Sequence, residues 1–187
     1  MKNTLLLAAD FINDIMNVKG ALGQIYGVRA ESDGTLKKVN KLISWARSNN
    51  IKIAHVKVGF SENYQECLPT HPAAQNGILK LGTWGTEFHP DIDVKPEDHI
   101  VIKHRISALY GSNLEPYLRA NKIERVIICG VATDLVVEST VRELADRDYN
   151  VVVISDACNT SNDESQAASL NAMTRFATIQ TIGEFLA

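Results

Sequence analysis

Three places in this chain carry residue types whose chemistry could be combined. Asp10 follows the apolar run "TLLLAA", Lys103 stands near the end of "HIVIKH", and "GVATDLVVEST" (130–140) continues directly from "RVIICG". A carboxylate can move a proton, an ammonium can steady an anion, and a strand that ends at a glycine just before a helix makes backbone N–H groups converge. Enzymes often put a nucleophile in that last frame, yet no residue from Leu135 to Val137 can act as one.

The elements that must position these residues are legible from hydrophobic spacing. Short β-branched runs alternate with helical patterns, which predicts an α/β fold: a three-layer α/β/α, Rossmann-like arrangement around a six-stranded, mainly parallel sheet. The strands are read at 4–9, 51–58, 99–104, 125–130, 150–155 and 177–181. Between the first two, Leu36, Val39, Leu42, Ile43 and Ala46 recur at helical spacing with Lys and Arg on the opposite face. Further helices are read at 112–122, 134–148 and 163–177, the last behind an Asn162–Asp163 cap signal. In an open parallel sheet, ligands bind outside the carboxyl ends of the strands. Asp10, Lys103 and the 130–140 turn are all expected at that edge. The segment from Gly59 to Asp98 has no regular pattern and holds four of the five prolines, as a functional cover or binding segment does.

Composition narrows the function classes. The 187 residues are 45% hydrophobic and 22% charged, which suits one ordinary globular domain over 1–187. A net charge of −3, with both signs interspersed, argues against nucleic-acid and polybasic membrane partners. No apolar run reaches spanning length and the N-terminal stretch is too short for a signal peptide, so a cytoplasmic location is expected. Cys67, Cys129 and Cys158 lack CxxC spacing, and the five histidines show no HxH, HExxH or DxH pattern. No disulfide framework, metal or cofactor is expected.

Taken singly, the site residues have plain structural readings. An isolated Asp after a strand caps a turn, an isolated Lys at a strand end is solvated, Trp84 anchors a loop, and Cys129 and Cys158 are buried structural thiols. The joint pattern changes the weighting. The segments "DFIND" (10–14), "GTWGTEFHP" (82–90), "KHRISALYGSNLEPYL" (103–118), "VIICGVATDLVVEST" (126–140) and "VVISDAC" (152–158) together resemble the isochorismatase-like hydrolases, the superfamily of isochorismatases, nicotinamidases and small amidases. The likeness runs from about Leu5 to the last strand.

The resemblance implies a catalytic Asp at Asp10, a Lys at Lys103, and Val136 at the position of the family's nucleophilic Cys. It also implies a cis peptide at Val131–Ala132 and an oxyanion hole from the N–H groups of Ala132 and Val136. Phe11, Trp84, Arg105 and Tyr110 are expected as substrate-binding residues, Arg105 being suited to a carboxylate. Without the thiol, thiolate acyl transfer cannot run. True isochorismatases also lack the cysteine, but carry a glycine there and hydrolyse a vinyl ether with water. A valine would cut into the space a cyclohexadiene diacid needs.

Two readings follow. One is a metal-independent hydrolase of a small anionic or amide-like metabolite, with Asp10, Lys103 and water. The other is a catalytically inactive member that binds a small molecule or serves as a structural oligomer. Rescue by Cys129 is a weaker third, since its side chain would have to leave the core. In each case the resemblance implies a homodimer or larger homo-oligomer.

Overall fold

The computed structural model describes residues 3–187; residues 1 and 2 of the expected domain lie outside them. The strands are β1 (Thr4–Ala9), β2 (Lys52–Val58), β3 (His99–Lys103), β4 (Arg125–Gly130), β5 (Asn150–Ile154) and β6 (Thr178–Gln180). They pair in the order β3-β2-β1-β4-β5-β6, and the sheet expected to be mainly parallel is parallel at every pairing. The central strands β1 and β4 are apolar nearly throughout because helices cover both faces, leaving no solvent side for polar alternation.

The helices are α1 (Asn13–Met16), α2 (Gly27–Ser32), α3 (Thr35–Ser48), α4 (Pro72–Asn76), α5 (Leu114–Ala120), α6 (Glu138–Ala145), α7 (Asp163–Met173) and α8 (Ile182–Leu186). In α3, Val39, Leu42, Ile43 and Ala46 are buried as their spacing predicts, while Leu36 is only half-buried. The Asn162 side chain accepts from Ser165 N–H at 2.8 Å and starts α7 where the cap signal placed it. That helix stops at Met173, four residues early. Phe176 and Ala177 both donate to the Met173 carbonyl at 2.9 Å, which closes the last turn.

The pattern read as one helix over 134–148 is divided. Residues Thr133–Val137 form a π-helical turn, with Ala132 O accepting from both Leu135 N–H (3.2 Å) and Val137 N–H (3.3 Å), and regular α-helix begins at Glu138. Such widened turns recur where a helix start serves a site. Among the described residues, no helix is long and apolar enough to cross a membrane.

The patternless segment is anchored at its far end by α3. Arg47 makes a two-pronged contact to Asp98, Nη1 to Oδ1 at 2.9 Å and Nη2 to Oδ2 at 2.7 Å, and its Nε reaches Asp93 Oδ2 at 3.1 Å. Buried His55 of β2 lies against the same carboxylate, Nε2 to Oδ2 at 3.2 Å. Burial would by itself raise the Asp98 pKa, but hydrogen bonds from Arg47 and Lys95 N–H, with the charges of His55 and Arg47, hold it below the ordinary value. Burial also pushes the His55 pKa down, and the nearby Asp98 only partly offsets this.

The two groups act in separate pH windows. A histidine with a depressed folded pKa takes up its proton more readily when unfolded, so stability falls as pH drops below about 6.5, the unfolded value. Asp98 loses its contribution in acid, progressively as pH falls from about 3.9, the unfolded value, through its own depressed pKa. Urea denaturation should therefore show lower stability at pH 5.5 than at pH 7.5, with a slope of at most about 1.4 kcal/mol per pH unit from His55. His99, whose pKa burial also lowers, adds in the same direction. His55→Gln should lose less over that interval; an equal loss in both proteins would sink the assignment.

Candidate active site

The strand order reverses at the centre of the sheet. From β1 the chain crosses to β2 on one side, while β4 leads to β5 on the other, so the crevice above β1 and β4 is the topological switch point. Ala9 is in register with Gly130, and a Cβ at Gly130 would meet Ala9 Cβ and Ala9 O at 2.8 Å. Only glycine lets the two strand ends lie this close as the chain turns into the crevice.

Asp10 is the first residue beyond β1, with φ of 62°, a left-handed conformation that Asp tolerates better than most residues. Its N–H donates to Val56 O at 2.9 Å, and its carboxylate reaches over the end of β2. Oδ1 accepts from Val58 N–H at 2.8 Å, and Oδ2 meets Lys103 Nζ at 2.9 Å. β1 and β3 are not neighbours, so this ion pair spans two strand spacings, about 10 Å, with β2 between them. Both side chains are buried, at 3% and 4% exposure. Burial raises the Asp10 pKa, with the Lys103 charge and hydrogen bonds from Lys103 and Val58 working against it.

Lys103 Nζ also donates to Arg105 O at 3.0 Å. Two of the ammonium's three donors are thus committed within the protein, and the third is left for whatever enters the crevice. On the opposite wall the Val131–Ala132 peptide is cis. Among the described residues, Ala132 N–H donates to no backbone acceptor.

A cavity of about 370 Å³ opens over these groups, in the size range of small-molecule sites. Asp10, Lys103, Arg105, Ala132 and Val136 all line it. Its remaining walls are largely apolar, with Ile15, Leu22, Phe60, Leu79 and Leu135 among them. A larger depression of about 490 Å³ lies elsewhere, between Val18, Gly34, Lys37 and Asn40. It holds no buried ion pair, and Asn40 is already committed to Asp91 O and Asp93 N–H, so the smaller cavity is the chemically equipped one.

Three expected wall residues lie elsewhere. Phe11 is packed into the core, and its carbonyl takes His89 N–H at 2.9 Å. Trp84 opens a 3₁₀ turn on the surface at 48% exposure, and its carbonyl accepts from Asn13 Nδ2 at 2.9 Å. Tyr110 is exposed just before the left-handed turn at Gly111. None of the three lines the cavity. Phe60, His71 and Leu79 do, all from the Gly59–Asp98 segment, where long-range folding rather than any local pattern chose them.

Asp14 secures that segment. It is buried, and its Oδ2 accepts from Leu79 N–H at 2.9 Å, holding a cavity wall in place. Asn13 N–H donates to Glu87 O at 2.9 Å, and Ile12 bridges to Phe88, so "DFIND" and "GTWGTEFHP" form one joint. Cys129 and Cys158 are buried outside the cavity. Burial pushes the Cys158 thiol up to about 12 and that of Cys129 well above its ordinary value, which keeps both protonated and inert at neutral pH.

The joint is tight at Gly85, where a Cβ would come within 2.4 Å of the Asp14 carboxylate. Gly85→Ala should push Asp14 off Leu79 N–H and cost about 1–3 kcal/mol in urea denaturation, from overpacking and a buried acceptor left unpaired. A stability within about 0.5 kcal/mol of the native protein would show that the joint is loose.

Comparison with known proteins gives the family. Residues 4–184 match the family model for the isochorismatase domain. The chain is 33% identical over 158 residues to the isochorismatase family protein YwoC of Bacillus subtilis, covering 83% of this chain and 84% of that one. It is 25% identical over 176 residues to the ureidoacrylate amidohydrolase RutB of Rhizobium rhizogenes, covering 84% of this chain and 72% of the relative. Among solved structures, N-carbamoylsarcosine amidase from Thermoplasma acidophilum superimposes with a TM-score of 0.79 at 25% identity, covering 98% of both chains.

Proposed function

Since the chain belongs to the isochorismatase family, we propose that it is a metal-independent hydrolase of a small metabolite, in which Asp10, Lys103 and a water molecule replace thiolate chemistry. The observation that carries the proposal is the buried Asp10–Lys103 pair opening onto a cavity that reaches Val136. A carboxylate and an ammonium are held there out of water, where each acts more strongly on a bound molecule than it would in solution.

In this reading Val136 stands where the family's nucleophile would be, and its isopropyl group forms apolar floor. Water must then supply the attacking oxygen. Burial raises the Asp10 pKa, so the carboxylate of the ion pair takes up a proton more readily than an ordinary one; in that protonated form Asp10 serves as general acid to the substrate, and the carboxylate it leaves takes a proton from the attacking water. The free donor of Lys103 and Ala132 N–H face developing negative charge, and Arg105 at the rim suits an anionic substituent. Assembly into a homodimer or larger oligomer is part of the proposal, by analogy with the family.

The deciding experiment is a screen of small amides, ureides and enol ethers with the native protein, followed by substitution. Asp10→Asn and Lys103→Met should each reduce kcat/KM on any substrate found by about 100-fold or more. As a general acid, Asp10 loses its proton as pH rises, so kcat/KM should fall as pH climbs through its raised pKa. If both variants turn over the substrate normally, the assignment of Asp10 and Lys103 fails; if the native protein turns over nothing in the screen, the protein is a binder that keeps the fold without the reaction.

A second test asks whether the crevice still activates a nucleophile. Val136→Cys would place a thiol beside the ion pair and the converging N–H groups, a setting that lowers thiol pKa. Iodoacetamide should then label position 136 at pH 7 at least about tenfold faster than buried Cys129 or Cys158, and Lys103→Met added to that variant should slow the labelling. A rate at position 136 no greater than at the buried thiols would mean that the frame does not activate a nucleophile.

A further inference from the structure

Two histidines of the cavity wall have their ring protons assigned by the backbone, in opposite senses. His71 is the N-cap of α4, and its Nδ1 accepts from Ala73 N–H at 3.2 Å. An accepting nitrogen carries no proton, so neutral His71 bears its hydrogen on Nε2 and can only donate from there. His104 is the reverse. Its Nδ1 lies 2.5 Å from Gly59 O, and since a carbonyl oxygen can only accept, Nδ1 carries the proton and Nε2 of the neutral ring keeps a lone pair.

Both rings line the cavity, and both pack against the same buried side chain. The Phe60 ring lies 5.3 Å from His71 and 6.1 Å from His104, between centroids, and is itself part of the cavity wall. Because each Nδ1 is turned to the backbone, each Nε2 occupies the far side of its ring. One residue able to donate and one able to accept therefore stand together on the wall of a mostly apolar enclosure, over the buried Phe60 ring.

We propose that His71 and His104 determine ligand specificity in this cavity, selecting a molecule whose apolar body accepts a hydrogen bond from His71 Nε2–H and donates one to His104 Nε2. The proposal rests on the hydrolase reading only in taking this cavity as the substrate site. Its test reads binding without turnover, so failure of the catalytic assignment would leave it standing. Burial of the apolar body among Ile15, Leu22, Leu79 and Leu135 supplies non-directional affinity, while the two histidines reject isosteres that lack either polar atom.

Three molecules of nearly equal shape serve as probes. Benzimidazole has one ring N–H and one ring lone pair, 1-methylbenzimidazole lacks the donor, and indole lacks the acceptor. Their dissociation constants, measured by ligand-observed NMR at pH 8, should favour benzimidazole over each of the others by about fivefold or more.

Two variants separate the roles while keeping the backbone contacts. In His71→Asn, the amide oxygen can still cap α4 but the Nε2–H is gone; in His104→Asn, the amide N–H can still reach Gly59 O but the Nε2 lone pair is gone. His71→Asn should abolish the preference over indole and leave that over 1-methylbenzimidazole, and His104→Asn should do the converse. Equal binding of the three probes to the native protein, no detectable binding of benzimidazole, or preferences that survive both substitutions would each overturn the proposal.

Discussion

The buried ion pair between Asp10 and Lys103 is the constraint around which the carboxyl edge of the sheet is built. Its partners lie at the ends of β1 and β3, two strands apart, and they meet only because the Asp10 carboxylate is carried over the end of β2, where Val58 N–H receives its other oxygen. Removing either partner would leave a charge in a site with almost no water contact, a cost of about 3–5 kcal/mol in buried pairs of this kind. Such a pair gives little net stability against an apolar replacement of both members. Its persistence in an otherwise apolar crevice therefore fits a chemical role better than a structural one.

The surroundings make that pair usable. The topological switch point opens the crevice, the glycine at 130 lets the strand ends approach, and the widened turn over Thr133–Val137 brings Ala132 and Val136 to its opposite wall. The remaining enclosure comes from the long segment between β2 and β3, held at one end by Arg47 on Asp98 and in the middle by Asp14 on Leu79 N–H. Both anchors are charged groups satisfied by backbone or opposite charge, so they specify one path for a segment that has little secondary structure of its own. That segment thus supplies cavity walls, while the strand ends hold Asp10 and Lys103.

This division explains why the wall residues differed from expectation. Phe11, Trp84 and Tyr110 are close in sequence to site motifs, but nearness along the chain does not decide which way a ring faces. The left-handed turn at Asp10 places the carboxylate over the sheet edge, and Phe11 after it lies in the core; Trp84 and Tyr110 sit at turns whose outer sides meet solvent. His71 and His104, by contrast, showed no metal-ligand spacing, and their relevance emerges only from the backbone groups their Nδ1 atoms touch.

The sequence by itself determined the layered α/β fold, the positions of six strands, the helix cap at Asn162 and the convergence of Asp10, Lys103 and the 130–140 turn on one edge. These follow from local periodicity and from the rule that parallel strands deliver their carboxyl ends to the same side, and both are properties of short stretches of chain. The tertiary structure alone decided the all-parallel pairing, the division of the 134–148 helix at Glu138, the course of residues 59–98 and the identity of the cavity walls. Those depend on contacts between residues far apart in the chain, such as Asp14 with Leu79 and Arg47 with Asp98, whose partners no local pattern can announce.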